Sequence, residues 1–406
     1  MSGPLVIVGA SHAGVQAAVS LRQSGWQEPI TLISSETDLP YHRPPLSKAY
    51  LAGEKTADQI LLRAEDFYAA QDIDLQLGVK VEEVSTQEHK IRTTGGDLPY
   101  SRLVLATGAS ARPLAVEGAD LDGIHMLRDM ADARKLKTAF EAVDRLVIIG
   151  GGFIGLEVAA SAAKAGKQVT VIEVQDRLLA RALPPMLSDW IAGYHRAKGV
   201  DIRLAEPFDT FEGENGKLTG VRLKSGERLP TELVLVGIGS IANLQLAEQI
   251  GLECQAGGIK VDDVCRTSAP GIFAIGDCAS QYNVFAREIM RVESVQNASD
   301  QARVLAALLT DKPIPAPGAN WFWTDQYDLK FQMAGLLESD CEEIVRGDPD
   351  TGAFSILLMK NGALRALFSV NKPADHMAAR KFIAAATPLD THLCRDAGTP
   401  LPKAVL

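Results

Sequence analysis

Two stretches of this sequence repeat one pattern 141 residues apart, and this repeat constrains the fold more than any other feature. LVIVGASHAGVQAAVSLRQSGW begins at Leu5, and LVIIGGGFIGLEVAASAAKAGK begins at Leu146. Each reads as an apolar strand, a glycine turn and a helix of small residues, and each leads into a second apolar strand, ITLI or VTVI. The pattern predicts two separate βαβ units of the type that binds dinucleotides.

The glycines of each unit have distinct tasks. One permits the tight turn, one lets the backbone approach a pyrophosphate, and one allows the helix to pack closely on the strand, with the phosphates at the helix N-terminus. The second unit has every expected glycine, whereas Ser11 replaces one in the first unit and makes that site slightly tighter. The residues predicted to contact the second dinucleotide are Gly150, Gly152, Ile154, Gly155, Glu173 and Gly239.

An acidic residue at the end of the second strand binds the ribose hydroxyls in such units. Glu173 follows VTVI and its carboxylate repels a 2′-phosphate, so the sequence predicts NADH rather than NADPH. Arg177 and Arg181 lie nearby in the sequence, and the alternative is that their positive charges weaken the preference for NADH over NADPH. In the first unit two alternatives remain open: either Glu36 reaches back to the ribose, or Ser35 binds it more weakly.

Length and charge exclude several classes of protein. With 406 residues the chain is long enough for two or three domains. Its net charge of −10 argues against nucleic acid and anionic membrane surfaces as partners. The N-terminus has no signal-peptide pattern, and no stretch is apolar for long enough to cross a bilayer.

The five cysteines are scattered and form no CxxC pair. A disulfide framework or zinc site is therefore not expected, no metal site is predicted, and a cytoplasmic, reducing location fits best.

Three further turns follow apolar strands. LVLATGA contains Ala106, Thr107 and Gly108, LVLVGIGS contains Gly239, and GIFAIGDCA places Asp277 just past a strand. Ligands bind at the carboxyl ends of strands in such folds, so these turns are candidate cofactor contacts. The alternative for Asp277 is that it caps a following helix.

These motifs, together with LPYHRPPLSKAYL at 39–51, RVESVQNA and WFWTDQY, resemble the FAD-dependent pyridine-nucleotide reductases of the glutathione-reductase fold. Within that superfamily the chain is similar to ferredoxin reductases of the putidaredoxin-reductase type, which serve cytochromes P450 and ring-hydroxylating oxygenases. The resemblance implies an α/β protein with two Rossmann-like domains and a C-terminal α+β domain. The implied ranges are an FAD-binding domain at 1–113 and 242–315, an NADH-binding domain at 114–241, and the C-terminal domain at 316–406.

The resemblance also implies roles for individual residues. Ala13 and Gly14 face the pyrophosphate, Val81 offers its backbone to the adenine, and Trp323 covers the edge of the flavin. The residues implied to contact FAD are Gly9, Ser11, Ala13, Gly14, Ser35, Glu36, Arg43, Lys48, Val81, Ala106, Thr107, Gly108, Arg128, Asp277 and Val295.

Disulfide-reducing members of this fold carry a cysteine pair after the first βαβ unit, facing the flavin. Here the first cysteine of the chain is Cys254, so disulfide reduction is excluded. What remains is hydride uptake from NADH and the release of single electrons to an external acceptor. The resemblance places Lys48 beside the flavin N5, and Glu157 is the expected partner that keeps this buried cation charged. Lys48, Glu157 and Trp323 are the predicted catalytic residues; the alternative is that Lys48 is solvated.

The expected acceptor is a [2Fe–2S] ferredoxin. Rubredoxin or another one-electron carrier stays open as an alternative, as does a non-catalytic flavin-bearing signalling protein that resembles apoptosis-inducing factor. Both the chain and most ferredoxins are acidic, so docking needs a local basic patch. Arg303 and Arg63 are the candidates, against the alternative that both are simply solvated. We expect a monomer or weak dimer.

Overall fold

The computed structural model describes residues 3–406, so residues 1 and 2, which open the predicted FAD-binding domain, lie outside the described residues. The chain divides into two compact units. The first contains residues up to His42, then Ala57–Ser110 and Ser240–Pro317; the second contains Arg43–Thr56, Ala111–Gly239 and Gly318–Leu406. The finer four-segment division stays a prediction.

The nine α-helices of residues 3–406 are α1 (His12–Ser24), α2 (Glu65–Ala70), α3 (Met130–Ala142), α4 (Phe153–Lys164), α5 (Pro185–Ala197), α6 (Gln245–Gln249), α7 (Val295–Leu309), α8 (Pro373–Ala385) and α9 (Thr391–Arg395). Short 3₁₀ turns cover Pro44–Ser47, Asp58–Ile60, Gly276–Cys278, Pro349–Thr351 and Leu401–Ala404.

The strands are β1 (Leu5–Val8), β2 (Ile30–Ile33), β3 (Ile73–Gln76), β4 (Val81–Ser85), β5 (Lys90–Thr93), β6 (Gly96–Pro99), β7 (Arg102–Leu105), β8 (Ala109–Ala111), β9 (Ile124–His125), β10 (Arg145–Ile149), β11 (Gln168–Ile172), β12 (Asp201–Arg203), β13 (Phe208–Glu214), β14 (Lys217–Leu223), β15 (Arg228–Pro230), β16 (Val234–Val236), β17 (Ser240–Ala242), β18 (Cys254–Gln255), β19 (Gly258–Val261), β20 (Ile272–Ala274), β21 (Ala279–Asn283), β22 (Glu288–Met290), β23 (Trp321–Gln326), β24 (Leu329–Gly335), β25 (Glu342–Asp348), β26 (Ala353–Lys360) and β27 (Ala363–Val370).

The first unit is built on a parallel sheet with the strand order β20-β7-β1-β2-β3. Alternate residues of β1 face opposite sides, so Leu5 and Ile7 pack with α1 and α7, whereas Val6 and Val8 join a second core. Both faces of the sheet are therefore covered, as expected for a parallel sheet of continuous apolar strands. Small residues let α1 and α7 approach closely: Ala17 and Ala18 share a core cluster with Ala302.

The second unit is also built on a parallel sheet, and it contains antiparallel strands in addition. Its parallel sheet has the order β12-β11-β10-β16-β9, and the antiparallel strands β13, β14 and β15 cover one face of it. The C-terminal part is an antiparallel sheet with the order β23-β24-β27-β26-β25, against which α8 packs. The predicted α/β class with two Rossmann-like folds and a C-terminal α+β domain is confirmed.

Two details differ from simple expectation. The segment after Asp277 is strand β21, and Ser294 caps α7 by accepting from the Asn297 N–H, so the alternative that Asp277 caps a following helix is wrong. Arg303 lies on α7, which begins at Val295 within the RVESVQNA motif rather than after it. Between residues 3 and 406, no helix is long and apolar enough to cross a membrane.

Candidate functional site

The first glycine turn leaves no room for side chains. Gly9 has φ +113°, and a Cβ there would collide with the Ala106 carbonyl oxygen of the neighbouring strand end. A Cβ on Gly14 would collide in turn with the Gly9 carbonyl. The turn therefore folds tightly onto β7, and α1 begins at His12 with its first N–H groups directed out of the end of the helix.

The second glycine turn has the same construction. Gly150 has φ +109°, and a Cβ there would collide with the Gly237 carbonyl oxygen, while a Cβ on Gly155 would collide with Gly150. Gly152 is the N-cap residue of α4, and Ile154 in its first turn is 41% exposed. Two turns of this shape, each followed by a helix N-terminus, fit the pyrophosphates of two dinucleotides.

Glu173 follows β11 and is held rigidly by backbone donors. Its Oε2 accepts the Gly151 N–H at 2.7 Å and its Oε1 accepts the Gln175 N–H at 2.8 Å. The carboxylate thus lies against the second glycine turn, where the ribose of a dinucleotide is expected. Arg177 donates to the Leu183 carbonyl at 2.7 Å and to the Ala180 carbonyl at 2.6 Å, so its guanidinium is already tied to its own loop. Arg181 is exposed.

At the corresponding place in the first unit, Ser35 is exposed and Glu36 is half-buried. The Tyr41 hydroxyl donates to Glu36 Oε2 at 2.5 Å, and the Glu36 N–H donates to Ser34 Oγ at 3.1 Å. Which of the two residues binds a ribose stays a prediction.

Other residues of the first unit collect around its glycine turn. Ala106, Thr107 and Gly108 follow β7 directly, and Gly239 lies three residues after the end of β16 in the second unit. A Cβ on Gly276, next to Asp277, would lie 2.9 Å from the Ala13 Cβ. The Asp277 turn therefore rests against the start of α1. Two further predicted contacts open secondary-structure elements, Val81 opening β4 and Val295 opening α7.

Lys48 and Glu157 form an ion pair in the second unit, with 2.8 Å between Nζ and Oε1. Pro44 and Pro45 start a 3₁₀ turn that ends at Ser47, and Lys48 follows at once. Glu157 lies on α4, two residues after the last glycine of its turn. The Lys48 side chain is 19% exposed and that of Glu157 is 6% exposed, so the alternative that Lys48 is solvated is wrong.

Two hydroxyls complete the surroundings of this carboxylate. Ser47 Oγ donates to Glu157 Oε2, and Thr324 Oγ1 donates to Oε1 at 2.6 Å. The sequence reasoning missed both residues. A signal for Thr324 was present, because in WFWTDQ alternate residues share a face, and Thr324 and Gln326 form the buried set.

Three more predicted flavin contacts belong to the second unit. Arg43 donates to the Arg128 carbonyl at 2.6 Å, so these two residues are brought together. Trp323 is partly buried on β23, with its ring centroid 5.5 Å from that of Trp321.

The cysteines have no arrangement for disulfide chemistry. All five are free thiols. Burial raises the pKa of the Cys278 thiol, which lies near the carbonyls of Leu105 and Ile275, and burial likewise raises the pKa of the Cys265 thiol. Such groups stay protonated and unreactive at neutral pH.

The two candidate docking arginines are both in the first unit. Arg303 is about half exposed and pairs with Asp300 at 2.9 Å. Arg63 donates to the Leu62 carbonyl at 2.6 Å and lies over the Phe67 ring. Their role in docking stays a prediction.

Comparison with known proteins gives two family matches. A model described as pyridine nucleotide-disulphide oxidoreductase matches residues 3–302, and one described as reductase C-terminal matches residues 321–405. The resemblance inferred from the motifs is thereby confirmed.

Several characterised proteins are similar over nearly the whole chain. The 5,5'-dehydrodivanillate O-demethylase ferredoxin reductase subunit of Sphingobium sp. is 44% identical, with 98% of this chain and 97% of that protein covered. Rubredoxin-NAD(+) reductase of Pseudomonas putida is 38% identical, with 91% and 96% covered. The crystal structure of the covalent putidaredoxin reductase-putidaredoxin complex matches with a TM-score of 0.95 and 40% identity, with 99% and 97% covered.

Proposed function

This chain belongs to the pyridine nucleotide-disulphide oxidoreductase family, and we propose that it is an FAD-dependent reductase that takes electrons from NADH and passes them singly to a [2Fe–2S] ferredoxin. The ferredoxin in turn supplies a terminal oxygenase. Despite the name of the family, the chain has no cysteine before Cys254 with which to reduce a disulfide.

The observation that carries this proposal is the buried Lys48–Glu157 pair. FAD accepts a pair of electrons from a nicotinamide and can release them one at a time. Lys48 supplies a fixed positive charge without a thiol relay. Glu157, with the hydroxyls of Ser47 and Thr324, keeps that side chain in one orientation.

The two glycine turns supply the binding sites. The first turn, with Asp277, Val81 and the residues after β7, is assigned to FAD. The second, with Glu173, is assigned to NADH, because the immobilised carboxylate disfavours a 2′-phosphate and Arg177 is not free to attract one.

The choice of acceptor is supported by the relatives. One is named as a ferredoxin reductase subunit and one structure is a complex with putidaredoxin, which favours a ferredoxin. A relative named rubredoxin-NAD(+) reductase supports rubredoxin as the second candidate acceptor. We propose a monomer or weak dimer, which sedimentation measurements will test.

Rapid mixing distinguishes these acceptors. The NADH-reduced protein is mixed under anaerobic conditions with a purified [2Fe–2S] ferredoxin or with a rubredoxin, and flavin absorbance is followed. Faster reoxidation by ferredoxin is expected; faster reoxidation by rubredoxin replaces the first candidate with the second.

In the same instrument, Lys48→Met should retain FAD but be reduced by NADH more slowly, and a wild-type rate would remove Lys48 from the reaction.

A further inference from the structure

A chain of buried hydrogen bonds continues outward from Glu157. Thr324, Gln326 and His195 are each 1% exposed. Gln326 Nε2 lies 3.4 Å from Thr324 Oγ1, and His195 Nε2 lies 2.8 Å from Gln326 Oε1. At the outer end the Tyr327 hydroxyl lies 3.2 Å from His195 Nδ1. All these residues belong to the second unit.

The chemistry of each group determines which atom donates and which accepts in each of these hydrogen bonds. Glu157 is paired with a lysine, so its ionised carboxylate only accepts, and the single proton of the Thr324 hydroxyl goes to it. The remaining lone pairs of Thr324 require a donor, which is the amide N–H₂ of Gln326. The Gln326 carbonyl oxygen then faces the imidazole, so His195 carries a proton on Nε2, and in the neutral form its Nδ1 accepts from the Tyr327 hydroxyl.

The surroundings of His195 favour that neutral form. Burial lowers the pKa of His195, although the bond to Gln326 acts in the opposite direction. On the same helix as His195, the Tyr194 hydroxyl donates to Asp328 at 2.5 Å, so that carboxylate oxygen already has a donor. The Lys198 ammonium lies 5.3 Å from the Tyr194 ring centroid and 5.9 Å from that of Tyr327, whose hydroxyl lies 3.2 Å from His195 Nδ1.

We propose that His195 is a positioning residue for the Lys48–Glu157 pair. As a neutral Nε2–H imidazole it orients Gln326, which orients the Thr324 hydroxyl towards Glu157, and the carboxylate is thereby held in place for Lys48. Because Thr324 follows Trp323 on β23, the same bonds fix this strand against α4. The inference rests on the proposed function only in that Lys48 and Glu157 serve the reaction.

The first test reads the imidazole directly and needs no turnover. The flavoprotein is labelled with ¹⁵N-histidine, and His195 is assigned among the seven histidines by the signals lost in His195→Gln. In wild type we expect a protonated Nε2 and an unprotonated Nδ1 at neutral pH. Gln326→Leu should abolish this single tautomer. A doubly protonated ring or an Nδ1–H tautomer in wild type would overturn the proposal.

The second test measures flavin reduction by NADH in matched variants. His195→Leu and Gln326→Leu remove one link and should slow reduction by about five- to tenfold, which corresponds to the loss of one modest hydrogen bond of about 1–1.4 kcal/mol, with the Kd for NADH changed less than about twofold. His195→Gln places an amide N–H near Nε2 and should restore most of the rate. Thr324→Ser should likewise be faster than Thr324→Val.

Tyr194→Phe is the control, because it removes a neighbouring hydroxyl that donates to Asp328 and takes no part in the hydrogen bonds from His195 to Glu157. It should reduce at the wild-type rate. If His195→Gln is as slow as His195→Leu, or if both leucine variants are only less stable, His195 is structural and the proposal fails. If wild type itself is not reduced by NADH, the proposed function fails, while the tautomer measurement still decides the hydrogen-bond chain.

Discussion

Removing one member of the buried ion pair should destabilise the protein more than removing both. Lys48→Met keeps the aliphatic stem but leaves the Glu157 carboxylate, 6% exposed, with only two hydroxyl donors. At the 2.8 Å Nζ–Oε1 distance the attraction is roughly 6 kcal/mol in a medium of effective dielectric constant ~20. Much of this only offsets desolvation, so the net effect is smaller.

The expected free energies follow from that balance. Breaking a buried pair on one side costs about 3–5 kcal/mol. We expect about 3 kcal/mol for Lys48→Met, because both hydroxyls still solvate Glu157. Glu157→Gln should cost about 2 kcal/mol, since Lys48 retains some access to water. The double variant leaves no buried charge and should cost only about 1 kcal/mol, so the two effects should be strongly non-additive.

Thermal and urea unfolding with excess FAD measure these differences. Three of the four tryptophans, Trp190, Trp321 and Trp323, lie in the second unit, so their fluorescence reports the part of the chain that carries the pair. Lys48→Met should lower the Tm by roughly 6–12 °C, at about 2–4 °C per kcal/mol.

The control is an exposed ion pair in the same unit. Lys164 and Glu54 are 3.8 Å apart and 55% and 60% exposed, so Lys164→Met should change the free energy of unfolding by less than about 0.5 kcal/mol. Additive effects of Lys48→Met and Glu157→Gln, or a Lys48→Met protein as stable as wild type, would refute the buried-pair reasoning.

Four further outcomes are expected. Glu173→Ala should narrow the preference for NADH over NADPH in kcat/KM, and equal values in wild type would contradict the role of this carboxylate. Ser35→Asp should slow the loss of FAD on dilution, because it places an acid at the strand end; no change would mean that Glu36 already binds the ribose. Arg303→Glu should raise the KM for ferredoxin severalfold and leave ferricyanide reduction nearly unchanged, and an unchanged KM would place docking elsewhere. Burial and the nearby Arg380 lower the pKa of His376 to about 4, so its contribution to stability is complete above about pH 6.5 and is lost as the pH falls towards 4; His376→Phe should flatten the Tm profile in that window, and an unchanged profile would show that His376 is not the group.

Much of the fold was predictable because it depends on local rules. The spacing of glycines between apolar strands specified both βαβ units, since a Cβ at Gly9 or Gly150 collides with a neighbouring carbonyl whatever the rest of the chain does. The C-terminal strands β26 and β27 read as short apolar runs, and the structure buries most of their residues rather than every second one.

The donors around Glu157 were less predictable because they come from distant parts of the sequence. Ser47 is 110 residues from Glu157 and Thr324 is 167 residues from it, and only the packing of the Pro44–Ser47 turn and of β23 on α4 brings them together. His195 lies on a helix that looks ordinarily amphipathic, so nothing local indicates that its imidazole points at Gln326. The sequence also left open whether Asp277 caps a helix, since either a strand or a helix could follow it.

In the proposed function, electrons leave the flavin directly, without a thiol relay. The most direct test mixes NADH-reduced protein with a panel of oxidised [2Fe–2S] ferredoxins or with a disulfide such as oxidised glutathione, under anaerobic conditions, while flavin absorbance and free thiols are followed. The account predicts that a ferredoxin reoxidises the flavin, with two ferredoxin molecules reduced per flavin, and that the disulfide leaves it reduced. Thiol formation from the disulfide, with every one-electron carrier inert, would contradict the account.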